Sequence, residues 1–528
     1  MVWLVRILPP GIAVVWAFFL FVNCSAPDRD GPSYGGRVRI GAAGGMEPIN
    51  PLITSRTVST EVLDLLFEPL FAETPDGQLA PALAIAWPFS PRSTFWDILL
   101  RSDVQFHDGR PVTAEDVVFT LQWMRKQPNG ADLLFERVEA LSDDIVRLHY
   151  AAPPRPAALM HLRRHIVPKH IVAPQLAAGY EWDELPFNQH PIGAGPFRFA
   201  EWLGEAHLRV VAFAEYYKGR PYLDTVEVRG DYPDTRYAWA AFMRGESDVP
   251  LSAAPADLQS IADNPAFEVL QGPGPSYTAL SLNCRPESIL ADRRVREAIY
   301  HAVDRQAIGR LLSGDATAML INGPFPPGSA YSDKQVAAPV KGQQRARALL
   351  QAAGWQDTDG DGLRERDGAT LELTLAMIRE LPHRHNIAAQ LRQDLEEIGI
   401  HLQMRTEPLQ EFAALEARVD MVLMGGYHVL DPDITVSEWH SQDGRNWSGY
   451  AHAEVDWLIE AGRSSYDDAE RIPIYRRIHR QLLVDHPKIF IGREPVRYAV
   501  RQPLRGVELV VRLGVFRSLP GWYWGRSP

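Results

Sequence analysis

Polar and apolar residues alternate through Arg37-Val38-Arg39-Ile40 before Gly41 and the Gly44-Gly45 pair, which predicts a short strand ending in a turn. From Ser59 to Phe67 the period changes. Val62, Leu63, Leu66 and Phe67 recur at helical spacing behind a Ser/Thr start. Phe95 to Leu100 reads as a strand, Val104 to Phe106 continues extended, and Asp108-Gly109 turns the chain. Thr113-Ala114-Glu115-Asp116 has the form of a capping box and predicts a helix over 117–124. Pro and Gly cluster at 191–196, and strands follow at 197–202, 208–213 and 226–229. Helical spacing returns at 235–243, 292–303, 346–353 and 385–398, the last two stopped by Gly354 and Gly399. Between and after these lie strands at 279–283, 371–376, 400–404, 421–424, 498–500 and 507–511. Strands and helices interleave, some strands in hairpin-like pairs. The fold class is therefore α/β with mixed sheets.

The first residues follow a different rule. Arg6 is the only charge before Asp28, and an apolar run of about a dozen residues, Gly11 to Val22, lies between them. That is short for a membrane span, which needs about 20. The pattern is an export signal over 1–24, and it places the remainder outside the cytoplasm. Residues 25–36, rich in Pro, Gly and Asp, read as a flexible tether. At 46% hydrophobic and 23% charged, the 528-residue chain has the composition of a folded protein of several domains. A net charge of −12 argues against a dedicated nucleic-acid binder.

The candidate chemistry is sparse. Two cysteines, Cys24 and Cys284, cannot build a disulfide framework or a Cys-rich zinc site. Cys284 ends an apolar run and reads as a small buried thiol. No phosphate-binding G-x-x-x-x-G-K-[ST] loop and no H-E-x-x-H occurs. The Gly31-Pro32-Ser33-Tyr34-Gly35 match lacks the strand-to-helix setting of a nucleophile elbow. One metal-like pattern remains. Asp357, Asp359 and Asp361 occupy positions 1, 3 and 5 of a calcium loop with Gly362 at position 6, but position 12 is Gly368 where a bidentate carboxylate is needed. The alternatives are calcium or a rigid turn whose aspartates cap their own backbone. No other cofactor is expected.

An ordered series of segments carries a resemblance. It comprises Leu83 to Trp87 with Phe95 to Phe119, Pro191 to Phe197, Tyr216 to Asp224 and Gly245 to Asp248. It continues through Asp292 to Ile299 with Ala302 to Arg305, Gly354-Trp355 with the acidic turn, and Gly449-Tyr450 with Glu454 to Asp456. Together these resemble the solute-binding proteins of peptide/nickel-type ABC transporters, family 5. The Phe21-Val22-Asn23-Cys24 end of the export signal resembles a bacterial lipoprotein signal, with Asn23 where Gly, Ala or Ser is preferred. It implies lipidation at Cys24, with simple cleavage or an uncleaved anchor as alternatives.

The resemblance implies a two-lobed periplasmic-binding-protein-like fold of class II. Lobe I would span 37–274, with an extra subdomain at about 50–180, and lobe II 275–488. Residues 489–528 would return to lobe I. It implies no enzyme, but a binding protein that closes on a peptide or other small solute and delivers it to an ABC permease served by a separate ATPase. A receptor or chaperone-like lipoprotein without a transport partner, or a secreted hydrolase, is the alternative. Ligand-binding candidates are Glu47, Asn50, Tyr277, Tyr427, His428, Asp431, Trp439 and Trp447. In peptide-binding relatives an aspartate three residues before an Asp-Pro-Asp segment pairs with the ligand's α-amino group. Here Asp431-Pro432-Asp433 matches that segment, and the amine-binding position falls on His428. A histidine supplies no fixed negative charge there. Either Asp431 substitutes or the ligand is not an ordinary free-amine peptide.

Overall fold

The computed structural model describes residues 31–54, 57–73, 79–87, 93–126, 135–204, 206–314, 319–325, 327–335, 341–379, 381, 384–408, 418–427, 431–509 and 514–525. Three main sheets organise them. In lobe I, strand Arg37–Ala43 pairs in parallel with Val249–Pro250 on one side and Thr225–Tyr232 on the other. His207–Ala212 and Phe197–Gly204 extend the sheet antiparallel. Val38, Ile40, Val226, Val228, Leu208 and Val210 face one core, which the C-terminal residues Val500, Leu504, Phe516 and Trp522 complete. Each such aliphatic side chain, removed from water, contributes about 1.5–3 kcal/mol.

Lobe II holds a six-stranded sheet. Its order is Met319–Leu320, Lys488–Arg501, Phe267–Leu282, Met421–Tyr427, Glu372–Ile378 and His401–Glu407. Its central strands are buried on both faces, and the alternation shows it. Leu280, Leu282, Ile489 and Ile491 point into one core with helix Arg384–Glu396. Tyr277, Ala279 and Phe490 point into another with Tyr475 and Leu482 of helix Asp468–Asp485.

Two strands belong to both lobes. Phe267–Leu282 is 16 residues long, roughly 50 Å at about 3.3 Å per residue. It pairs antiparallel with Lys488–Arg501 from Phe267↔Arg501 to Ser281↔Lys488. Leu270 and Val500 reach the lobe I core, while Leu280 and Ile489 reach that of lobe II. The ladder slips between Pro273 and Tyr277. There Pro273 faces Pro495, and neither residue has an N–H to offer. Gly274 sits so close to the partner strand that a Cβ would lie 2.3 Å from the Glu494 carbonyl. Arg493 spans the slip, its Nε donating to the Gly274 carbonyl at 2.8 Å. The Gly272 to Pro275 stretch is thus the place where the ladder between the lobes is weakest in backbone bonds.

A third body stands on lobe I. Its antiparallel sheet runs Ala84–Ala86, Phe95–Leu100, Ile145–His149, Arg137–Ser142. Helix Ala114–Arg125 covers it, burying Val117 and Leu121 against Trp96, Ile98 and Leu148. The capping box forms, the Thr113 N–H donating to Asp116 Oδ2 at 3.0 Å, so the helix starts three residues before the predicted 117. This core draws on Leu70 to Ile166 with Ala194, a narrower span than 50–180, because Val62 to Phe67 and Val167 pack into lobe I. The join is tight. A Cβ on Gly193 would lie 1.9 Å from the Leu66 carbonyl, which accounts for the Pro/Gly cluster. Beside it the buried Glu68 accepts from Tyr216 Oη at 3.0 Å, Tyr217 Oη at 2.6 Å and Lys218 Nζ at 2.7 Å. Two predicted strands differ. Val104 to Phe106 forms an isolated bridge, Gln105 to Pro111, rather than a strand, and residues 507–509 are not in a strand. Among the described residues no helix is long and apolar enough to cross a membrane.

Candidate ligand cleft at the strand crossing

In open α/β sheets, ligands sit beyond the carboxyl ends of strands. Two such ends flank the crossing. Lobe I strand Arg37–Ala43 runs out into Glu47 and Asn50. Lobe II strand Met421–Tyr427 ends with Tyr427 paired to Ser276, inside the ladder slip, and the chain proceeds to Asp431. Glu47 is half-buried. Asn50 is fully buried, and its amide is spent internally. Nδ2 donates to Asn188 Oδ1 at 2.8 Å, and Oδ1 accepts from the Leu52 N–H at 3.0 Å. Asn50 therefore shapes the turn after the first strand rather than presenting a group to solvent.

The Asp431-Pro432-Asp433 segment is built the same way. Asp431 caps the short helix Pro432–Val436, accepting the Asp433 N–H at 2.8 Å. Its two oxygens also accept from Arg471 Nη2 at 2.9 and 2.8 Å. Asp433 accepts from Arg463 Nε at 2.6 Å. Both aspartates are 5% exposed. Burial pushes the Asp431 carboxyl above its ordinary value, and the Arg471 guanidinium opposes that shift. A buried charge requires such a partner. Asp431 holds helix Asp468–Asp485 against the 431–436 segment, and its oxygens are occupied.

The aromatic candidates separate. Trp439 is 1% exposed, packed against Phe490 at 6.1 Å with Lys488 Nζ 5.2 Å from its ring. Its ring is enclosed by the lobe II core rather than offered to solvent. Tyr277 is buried beside Gly425 and Gly426, whose missing Cβ atoms make room for it. Burial, then the nearby Glu438, pushes its phenol well up. Trp447 is half-buried against Ala376, Val419 and Val422, and its indole N–H has no hydrogen-bond partner among the described residues. His428 and Cys24 lie outside the described residues, and Tyr427 is placed by its backbone only. Cys284 is burial-shifted to about 11, the thiol of a packing residue.

A cavity of about 550 Å³ lies between the third body and lobe II. Arg155, Ala157 and Ala158 line it from one side. Asp433, His440, Asp443, Arg445, Glu460 and Arg463 line it from the other. Sequence reading missed Arg463, which lines this cavity, and Arg471, which holds Asp431. Arg463 lies on helix Ala453–Ser464 and Arg471 on helix Asp468–Asp485, and neither helix was predicted as an element. Five apolar residues at helical spacing, Val455, Leu458, Ile459, Tyr475 and Ile478, were the available signal, and Pro473 inside the second helix obscured it.

The acidic turn stands apart from the cleft. Carboxylate oxygens of Asp357, Asp359, Asp361 and Glu365 lie within 4.8 Å of one another, a grouping able to hold a cation. Each is also engaged locally. Asp357 accepts the Gly360 and Gly362 N–H groups at 2.7 and 3.2 Å, Asp359 that of Asp361, Asp361 that of Leu363, and Glu365 that of Thr358.

Comparison with known proteins agrees with the geometry. Residues 78–447 match the bacterial extracellular solute-binding proteins, family 5 Middle. The oligopeptide-binding protein AppA of Bacillus subtilis is 29% identical over 525 residues, 95% of this chain and 94% of that one. The dipeptide-binding protein of Escherichia coli is 26% identical, covering 88% of this chain and 90% of its own. Among solved structures, the ABC transporter substrate-binding protein CtaP of Listeria monocytogenes superposes with a TM-score of 0.79 at 25% identity, over 93% of this chain and 100% of that one. NikZ of Campylobacter jejuni, solved with Ni(L-His), gives 0.72 at 26%, over 92% and 99%. The chain belongs to the bacterial extracellular solute-binding proteins of family 5 and acts outside the cytoplasm as the substrate-binding component of an ABC importer.

Proposed function

We propose that the protein captures a peptide or another small solute between lobe I and lobe II at the strand crossing. We further propose that it recognises the solute without an aspartate on an α-amino group. The observation that carries the second point is the Asp431–Arg471 pair. With His428 at the position where peptide-binding relatives place that aspartate, Asp431 was the remaining substitute, and its oxygens are already occupied. Oligopeptide- and dipeptide-binding relatives, and related structures with a nonapeptide or Ni(L-His) bound, set the range of solutes. Glu47, Tyr427, His428 and Trp447 are the residues proposed to meet the solute, and an ABC permease with its ATPase receives it.

Native mass spectrometry of the purified protein identifies the bound solute. Calorimetry then compares it with the same solute acetylated on any amine. Binding within about threefold is expected, and a loss of 100-fold or more would restore amine recognition. The mature protein is proposed to be anchored by lipid at Cys24. Palmitate labelling that is lost in Cys24→Ala supports the anchor, and labelling that never appears removes it. No cofactor is proposed, and the acidic turn is read as self-capped.

A further inference from the structure

Closure in a two-lobed binding protein is a balance between open and closed populations, and a solute shifts it only by its differential affinity. Contacts between bodies that need no solute set the starting point of that balance. The described residues contain such a contact, away from the crossing strands.

The short connection between helices Ala453–Ser464 and Asp468–Asp485 carries Tyr466. Its hydroxyl donates to the carbonyl of Pro154 in the third body. Its ring packs onto the core made by Trp96, Leu148 and Tyr150. The phenol of Tyr150 is pushed up by burial and then by Tyr466. The residue after Pro154 is Arg155. It is exposed at the cavity rim and has no ion-pair partner among the described residues. The wall it faces carries three carboxylates, Asp433, Asp443 and Glu460, against two guanidiniums, Arg445 and Arg463. Those pair among themselves, Arg463 with Asp433 and Glu460, Arg445 with Asp443. The wall thus holds three carboxylates to two guanidiniums, with His440 Nε2 3.3 Å from Glu460 Oε1, and Arg155 faces it across the cavity.

We propose that the third body is a closure latch. Tyr466 docks lobe II on it, Arg155 adds a salt-sensitive attraction, and together they hold part of the population closed before any solute arrives. This rests on the two-lobe trap reading and gives the third body a role within it. The Tyr466 arm is the stronger, because its ring is half-buried and its hydroxyl is hydrogen-bonded. The Arg155 arm is solvent-exposed and correspondingly weak.

The test is single-molecule energy transfer on the full mature chain, with Cys24 and Cys284 replaced by serine. Labels go at Leu141→Cys in the third body and Met404→Cys in lobe II, both exposed. Solute-free protein is expected to show open and closed populations. Tyr466→Ala should lower the closed-to-open ratio about tenfold, equivalent to about 1.4 kcal/mol. Tyr466→Phe, which keeps the ring, should lower it less than threefold. Arg155→Glu should lower it about threefold at low salt, with the effect fading in 0.5 M NaCl. A ratio unchanged in Tyr466→Ala, or no closed population without solute, overturns the latch. Adding the solute extract released from unfolded purified protein separates the two readings. If it closes wild type while Tyr466→Ala has no effect, the latch fails and the trap stands. If it closes nothing, the trap fails.

Discussion

The aspartates at 431–433 and those at 357–361 look alike in the sequence, carboxylates crowded into a few residues beside Pro or Gly. The structure treats them in opposite ways. Asp431 and Asp433 are buried, and each meets a guanidinium from a different helix, 40 and 30 residues further along the chain. Asp357, Asp359 and Asp361 are exposed and satisfied by backbone N–H groups two to five residues away. In water a carboxylate can be content with its own backbone. Out of water it requires a cation, and the cation then belongs to the fold. Crowded carboxylates in a chain of this kind are thus poor guides to where a ligand binds.

Breaking the buried pair gives the largest expected effect. Arg471→Ala leaves the Asp431 charge buried without its partner and should cost about 3–5 kcal/mol in urea unfolding. A loss under about 1 kcal/mol would mean that Asp431 reaches solvent, which would reopen its role as a ligand group.

Glu61 sharpens the comparison because its carboxylate is turned away from water and meets no cation among the described residues. It lies on helix Thr57–Leu66 beside Gly514, with Oε2 unpartnered among the described residues. Burial first, then Asp64, pushes its carboxyl up from 4.5 to about 7. With the folded value raised, the stabilising contribution of the protonated form is complete below about pH 4.5 and is lost as pH rises through about 7. Glu61→Gln, which mimics the protonated form, should match wild type near pH 4. At pH 8 it should exceed wild type by on the order of 2–3 kcal/mol. Denaturant midpoints at the two pH values decide it, and a difference independent of pH contradicts it.

The acidic turn should give the smallest response. Asp357→Ala removes two caps and should cost about 1 kcal/mol. Asp359→Ala should stay within about 0.5 kcal/mol, with or without a chelator. A calcium-dependent gain in stability would assign the turn a metal.

Most of the architecture was legible because it is local. Alternation at Arg37 to Ile40, the Thr113 capping box and the Gly399 stop each report on a few neighbouring residues, and the ordered segments tied them to one family. The long strands were harder. Gly272-Pro273-Gly274-Pro275 breaks every local strand rule, and only the partner strand explains why a 16-residue element runs through it. The candidate site was the least legible part. Asn50 and Asp431 looked available because their partners, Asn188 and Arg471, are 138 and 40 residues away. Burial of Trp439 depends on Phe490 and Lys488 from the other end of lobe II. Nothing in the local pattern carries those distances.

The central claim is that a solute is trapped between the two lobes by closure about the Gly272 to Pro275 crossing. Small-angle scattering of the solute-stripped protein, before and after adding back one equivalent of its co-purified solute, tests it directly. The account predicts a smaller radius of gyration on binding. Stoichiometric binding by calorimetry with an unchanged radius would contradict it.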